Sequence, residues 1–234
     1  MVVNPIRTAG LSLRKVNMLL KTAARRSAGV TVYSRRTCDG IDVFVFDAGG
    51  GIRAQSEVYD GVSNVLSGCV YGVGDDTLGE GISSVLIKNR KCLAIAESLT
   101  GGLISDRLTD FPGSSRFFML SVVVYSDKSK VKLLGVPESV IKKWGAVSRQ
   151  TCRKMLEGLS GQGDFNYRIA VTGIAGPAGG SSAKPVGTVF AGVADEYSTV
   201  IRKLKLIGTR REVKEATTNA VLQLLWGQIK GQVI

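Results

Sequence analysis

From Asp76 onward, strand-sized apolar runs alternate with helical patterns, and three of those runs stop in loops rich in glycine and hydroxyl residues. This rhythm constrains the fold more than any other feature. Short buried strands that alternate with helices pack as a sheet covered by helical layers. Lys91 to Ala96 is the first such run and leads into Glu97-Ser98-Leu99-Thr100-Gly101-Gly102. A helix over Leu103 to Thr109 follows. Phe117 to Tyr125 is the second, with helices near 127–134, 138–143 and 148–159 behind it. Arg168 to Val171 is the third and ends in Thr172-Gly173-Ile174-Ala175-Gly176-Pro177. Strands over 186–194 and 198–206 precede a last helix from Arg210 to about Trp226. Leu78, Ile82, Val85 and Leu86 mark a helix ahead of them all. The expected fold over residues 76–234 is a three-layer α/β/α sandwich with a mixed sheet.

The first part of the chain reads differently. Residues 11–27 predict a helix with Leu13, Val16, Leu20 and Ala24 on one face. Residues 30–34 and 41–46 predict strands, joined as a hairpin through Cys38-Asp39-Gly40. Beyond Gly49-Gly50-Gly51 a weakly patterned stretch runs to about Asp75, with a module boundary near Gly74. Residues 1–75 are thus expected to form a small α+β module.

Charge sets this segment apart. The chain carries 31 basic and 19 acidic residues, net +12. Arg7, Arg14, Lys15, Lys21, Arg25, Arg26, Arg35 and Arg36 all precede the first acid, Asp39. Three readings stand: a solvated helix face, an anionic partner such as nucleic acid, or a targeting peptide. The segment lacks aromatic residues interleaved for stacking on bases, which counts against nucleic acid.

The 234-residue chain contains no histidine. That excludes Ser-His-Asp triads, Cys-His pairs and His-bearing zinc sites together. Proton transfer must fall to Lys, Tyr, Asp, Glu or Cys. The four cysteines, Cys38, Cys69, Cys92 and Cys152, form no CxxC pair. They read as small buried hydrophobes in a reducing, cytoplasmic setting, not as a disulfide framework or a metal site. No apolar run approaches the roughly 18 residues of a membrane-spanning helix, so no membrane association is expected.

In open α/β sheets, ligands gather outside the carboxyl ends of the strands. A glycine-rich turn there exposes backbone N–H groups to a phosphate or an oxyanion. The Ser98–Gly102 loop has this form with a hydroxyl built in, although a Ser after a strand also serves simply to cap a helix. Lys130 lies beyond the second strand. A lysine acts as a base when burial or a neighbouring cation, here Lys128 or Lys132, lowers its pKa. The alternative is a solvated lysine at a helix start.

The stretch from about Leu78 to Leu225 resembles the C-terminal domain of the CinA competence/damage-inducible family, which also occurs as a stand-alone nicotinamide mononucleotide deamidase. The resemblance is carried by Ala96-Glu97-Ser98-Leu99-Thr100-Gly101-Gly102-Leu103-Ile104, Pro112-Gly113-Ser114-Ser115, Val123-Val124-Tyr125-Ser126 with Lys130, and Leu134-Gly135-Val136. It continues through Gly145-Ala146-Val147-Ser148, Val171 to Pro177, Gly179-Gly180-Ser181, Lys184 to Val189 and Gly208-Thr209-Arg210, all in collinear order. It implies Ser98 as nucleophile and Lys130 as its base. Tyr125 and Thr172 align with supporting hydroxyls, and Arg210 with a basic position suited to a substrate phosphate. Glu97, Thr100, Gly101, Gly102, Ser115, Gly173 and Gly176 are the further substrate-contacting positions implied. The implied reaction converts nicotinamide mononucleotide to nicotinic acid mononucleotide and ammonia, without cofactor or metal. A homo-oligomer is expected.

The chain departs from the family where it has Leu99 in place of the usual Cys, Ser121 for Gly, Asp127 for Asn, Ser129 for Ala and Ala178 for Gly. Asp127 adds a negative charge near Lys130 and would raise its pKa. Locally, Thr172 could merely cap a turn, Gly173 and Gly176 could serve backbone shape alone, and Arg210 could pair with Glu212 or Glu215. Two rivals follow: a non-catalytic nucleotide-binding protein of the same fold, and a nucleic-acid-associated protein using its basic N-terminus. The first 75 residues are expected to lie outside the resemblance.

Overall fold

The computed structural model describes residues 4–23 and 29–231. It falls into two compact units. The first runs to Ile82 and takes in the chain from Trp226 onward; the second is Ser83–Leu225.

In the first unit, strands β1 (Ile6–Thr8), β2 (Val30–Arg36), β3 (Ile41–Asp47) and β4 (Val70–Val73) form a sheet in the order β2-β3-β1-β4, with every pairing antiparallel. Helices α1 (Leu13–Ala23) and α2 (Gly51–Leu66) pack on it. Val16 and Leu20 of α1 and Val58, Val62 and Leu66 of α2 cluster with Ile41, Val43 and Val45, the alternate residues of β3. The expected hairpin forms, with the Thr37 N–H donating to the Gly40 carbonyl at 2.9 Å. Ala24 and the rest of the expected helix up to residue 27, with Arg25 and Arg26, lie outside the described residues.

One sequence expectation fails in this unit. The stretch after Gly51 is not irregular, since it holds α2 and β4. The buried positions of α2 are Gln55, Val58, Val62 and Leu66, a helical spacing. One member is polar, donating to the Val45 carbonyl at 2.9 Å, and helical glycines dilute the stripe. Of the basic residues before Asp39, Arg35 lies against a ring from beyond that segment. The Arg35 guanidinium lies 5.3 Å from the Phe44 centroid, and Phe44 stacks near Phe46 at 6.0 Å. The rings come from the neighbouring strand, which one-dimensional spacing does not reveal.

Helix α3 (Leu78–Lys88) leads to the second unit. There follow β5 (Leu93–Glu97), α4 (Leu103–Thr109), a 3-10 turn (Ser114–Arg116), β6 (Phe118–Val123), α5 (Asp127–Leu134), α6 (Glu138–Trp144) and α7 (Arg149–Ser160). Then come β7 (Tyr167–Gly173), β8 (Thr188–Ala194), β9 (Thr199–Lys205) and α8 (Arg210–Ile229). The five strands form a mixed sheet in the order β6-β5-β7-β8-β9, with β5 parallel to β6 and β7, and β8 and β9 antiparallel. Every residue of β5 and β8 is buried, as in strands covered on both faces. On one face Ala94, Ala96 and Ala170 pack against Leu134 of α5 and against Cys152, Met155 and Leu156 of α7. Residues of opposite parity, such as Ile95, Ile169 and Val193, are buried too. The expected layered α/β architecture is present.

Local chemistry sets the helix starts. Ser126 caps α5 by accepting from the Ser129 N–H at 3.1 Å, and the Ser129 hydroxyl accepts from the Ser126 N–H at 3.1 Å. Ser148 caps α7, accepting from the Thr151 N–H at 3.1 Å. Of the cysteines, Cys69 and Cys152 are buried as expected, but Cys38 is exposed. Burial pushes the Cys69 thiol up to about 11 and the Cys152 thiol to about 12, so neither is a nucleophile at neutral pH. Among the described residues, no helix is long and apolar enough to cross a membrane. Nor do three or more acidic, cysteine or histidine side chains gather there as a metal site would need.

Candidate active site

Because β5, β6 and β7 are parallel, their carboxyl ends open on one edge of the sheet. Ser98 is the first residue past β5 and is buried. Tyr125 stands just past β6, and Thr172 is near the end of β7. Lys130, on the first turn of α5, is only 2% exposed. Its Nζ lies 3.4 Å from Ser98 Oγ, 2.9 Å from the Val124 carbonyl and 3.5 Å from the Tyr125 carbonyl.

Burial pushes the Lys130 amine below its ordinary 10.5, and the Asp127 carboxylate opposes that shift. Repulsion from Lys128 or Lys132 is therefore not the cause of the depression; desolvation is. Asp127 acts in the direction expected from the sequence. A neutral amine has two N–H bonds and one lone pair. With the N–H bonds directed to the two carbonyls, the lone pair remains for the Ser98 hydroxyl.

These groups line a cavity of about 230 Å³. Ser98, Lys130, Tyr125, Thr172 and Arg210 all contribute, as do Gly173 and Gly176. Leu99, Ala146, Val147 and Ile174 supply an apolar wall. The Thr172 hydroxyl donates to the Ala146 carbonyl at 2.9 Å, tying β7 to the loop before α7 rather than capping the turn after it. Arg210 donates to the Gly176 carbonyl at 2.8 Å and to the Tyr125 hydroxyl. Its suggested partners are engaged elsewhere: Glu212 accepts from the Thr209 N–H at 2.7 Å, and Glu215 from Arg211. A Cβ on Gly173 would sit 2.9 Å from the Thr188 carbonyl oxygen, and Gly176 has φ +85°, so both glycines also answer to backbone shape.

Five expected contact residues lie outside the cavity lining: Glu97, Thr100, Gly101, Gly102 and Ser115. For Glu97 the expectation is corrected by its hydrogen bonds. Its buried carboxylate accepts from the Gly102 N–H at 2.9 Å, the Ile104 N–H at 3.3 Å, and the Ser105 N–H at 2.9 Å and hydroxyl at 2.6 Å. It caps α4, so its lone pairs are spent on the loop that carries Ser98. Thr100 is fully buried. Gly101 donates to the Ser98 carbonyl at 3.1 Å. With Gly102 it shapes the turn. Ser115 is exposed on the 3-10 turn.

Sequence reasoning missed Ser105, and treated Ser121 only as a departure. Their hydroxyls meet at 2.6 Å and extend the Glu97 network onto β6. No spacing rule signals such a contact, because it arises where α4 packs on β6.

The family model described as the CinA C-terminal domain matches residues 75–229. A CinA-like protein of Endomicrobium trichonymphae is 46% identical over 165 residues, covering 70% of this chain and 39% of that protein. One from Chlorobium limicola is 34% identical over 95% of this chain and 54% of its own length. The likeness therefore reaches into the first 75 residues, contrary to expectation. The chain spans only about two fifths to one half of the curated relatives it matches. The crystal structure of competence/damage inducible protein CihA from Agrobacterium tumefaciens superposes with a TM-score of 0.62 at 35% identity, covering 63% of this chain and 91% of that one.

Proposed function

This chain belongs to the CinA C-terminal domain family over residues 75–229, and from that premise we propose that it is a serine amidohydrolase that deamidates nicotinamide mononucleotide. The observation that carries the reading is the buried Lys130 amine 3.4 Å from the Ser98 hydroxyl, its pKa pushed down by burial. Apo geometry of this kind is often long and tightens around substrate.

In the proposed reaction neutral Lys130 takes the Ser98 proton as Oγ attacks the carboxamide carbon. The tetrahedral oxyanion needs backbone donors, each typically worth roughly 3 kcal/mol. The Gly101, Gly102 and Ile174 amides are committed to Ser98 O, Glu97 and Thr188 O. The amides of Leu99, Ala175 and Gly176, all on cavity-lining residues, are the candidate donors. The C–N bond then breaks and protonated Lys130 gives its proton to the departing amine, releasing ammonia. Lys130, neutral again, deprotonates a water that attacks the acyl-serine ester. Nicotinic acid mononucleotide leaves, and the proton returns to Ser98. Arg210, at the N-terminus of α8, holds the substrate phosphate in this reading.

The test is to incubate the pure chain with nicotinamide mononucleotide and follow ammonia. Release that disappears in both Ser98→Ala and Lys130→Ala supports the mechanism. A Ser98→Ala variant with full turnover removes its nucleophile.

A further inference from the structure

We propose that Asp127 makes the cavity selective for a positively charged reacting ring. The inference rests on the deamidase reading. Asp127 lines the same cavity as Ser98, Lys130 and Arg210. Among the described residues it forms no salt bridge. The cavity thus carries two opposite charges: the Arg210 guanidinium, tied to Gly176 and Tyr125, and the Asp127 carboxylate close enough to Lys130 to act on it.

An N-glycosylated pyridine carboxamide nucleotide carries the matching pair of charges: an anionic phosphate and a cationic ring. Once the carboxamide carbon is at Ser98 Oγ, the attached ring must lie beside Lys130. A cationic ring there favours the neutral amine, which suits a base, but a lysine that stays protonated would repel it. The Asp127 carboxylate offsets that repulsion and attracts the ring. An uncharged ring gains nothing from it.

The experiment uses the full chain carrying Ser98→Ala, so that ligands bind without turnover. Calorimetry compares nicotinamide mononucleotide with its dihydropyridine form, which has the same amide, ribose and phosphate on an uncharged ring. With Asp127 present the cationic form binds tighter by about five-fold, as a partly exposed ion pair allows. Asp127→Asn abolishes that preference, and Asp127→Glu retains it. A preference unchanged in Asp127→Asn, or equal weakening of both ligands, overturns the proposal. If the unsubstituted chain releases ammonia but residue 127 does not affect the preference, this inference alone falls. If there is no ammonia and neither ligand binds, the deamidase reading falls and takes this one with it.

Discussion

Lys130 reaches Ser98 across 32 positions of sequence because α5 starts where β6 ends, beside the end of β5. Its long aliphatic stem is buried with the amine, and the two neighbouring carbonyls orient the nitrogen. The relationship is costly to the fold and useful only if the amine is neutral.

Replacing Lys130 with Met should therefore separate stability from activity. Methionine keeps the stem and removes the buried amine; the relieved desolvation offsets the hydrogen bonds lost at the Val124 and Tyr125 carbonyls, so the melting temperature is expected to change little. If Lys130 is the base proposed above, ammonia release should fall by about 10⁴-fold or more. Thermal denaturation alongside the assay checks both. A large loss of stability would make Lys130 a structural residue.

The pH dependence follows from the same depressed pKa. Activity should rise with pH as Lys130 loses its proton, with a midpoint below 10.5. Asp127→Asn removes the opposing charge and should move that midpoint lower still. Stability carries the same sign. Below 10.5 the unfolded lysine binds a proton that the folded one resists, so this residue's contribution falls as pH drops towards its folded pKa and is level beneath it. Kinetic profiles, and urea unfolding of the parent and Lys130→Met at a series of pH values, measure the two effects.

Glu97→Gln tests the loop support. The amide substitutes a donor for one of two oxygens that face four donors, so at least one buried N–H or O–H loses its acceptor. Unfolding free energy should drop by about 1–3 kcal/mol. Urea titration reads it, and the midpoint of the activity profile should stay where Lys130 sets it.

Arg210→Ala should separate phosphate binding from chemistry. KM for nicotinamide mononucleotide is expected to rise about ten-fold or more, as loss of a charge-assisted contact implies. For the phosphate-free riboside, KM should hardly change. Steady-state kinetics with both compounds decide it, and an equal effect on the two would assign Arg210 to holding Tyr125 and Gly176 in place.

What could be read in one dimension was whatever depends on neighbours in the chain. Apolar runs and glycine turns marked β5 to β9 and the helices between them, because burial imposes a period of two or of three to four on the residues themselves. The absence of histidine narrowed the chemistry, and the ordered blocks from Ala96 to Arg210 pointed to the family. Where the local pattern was weak it misled: α2 hides behind Gln55 and its glycines, and β1 is three residues long. Folding alone decided which groups meet. It put Glu97 under α4 instead of in the cavity, joined Ser105 to Ser121, and set Arg210 on Tyr125. It also decided that the Lys130 amine is dry. Desolvation depends on every element packed around a group, and no stretch of sequence contains all of those elements.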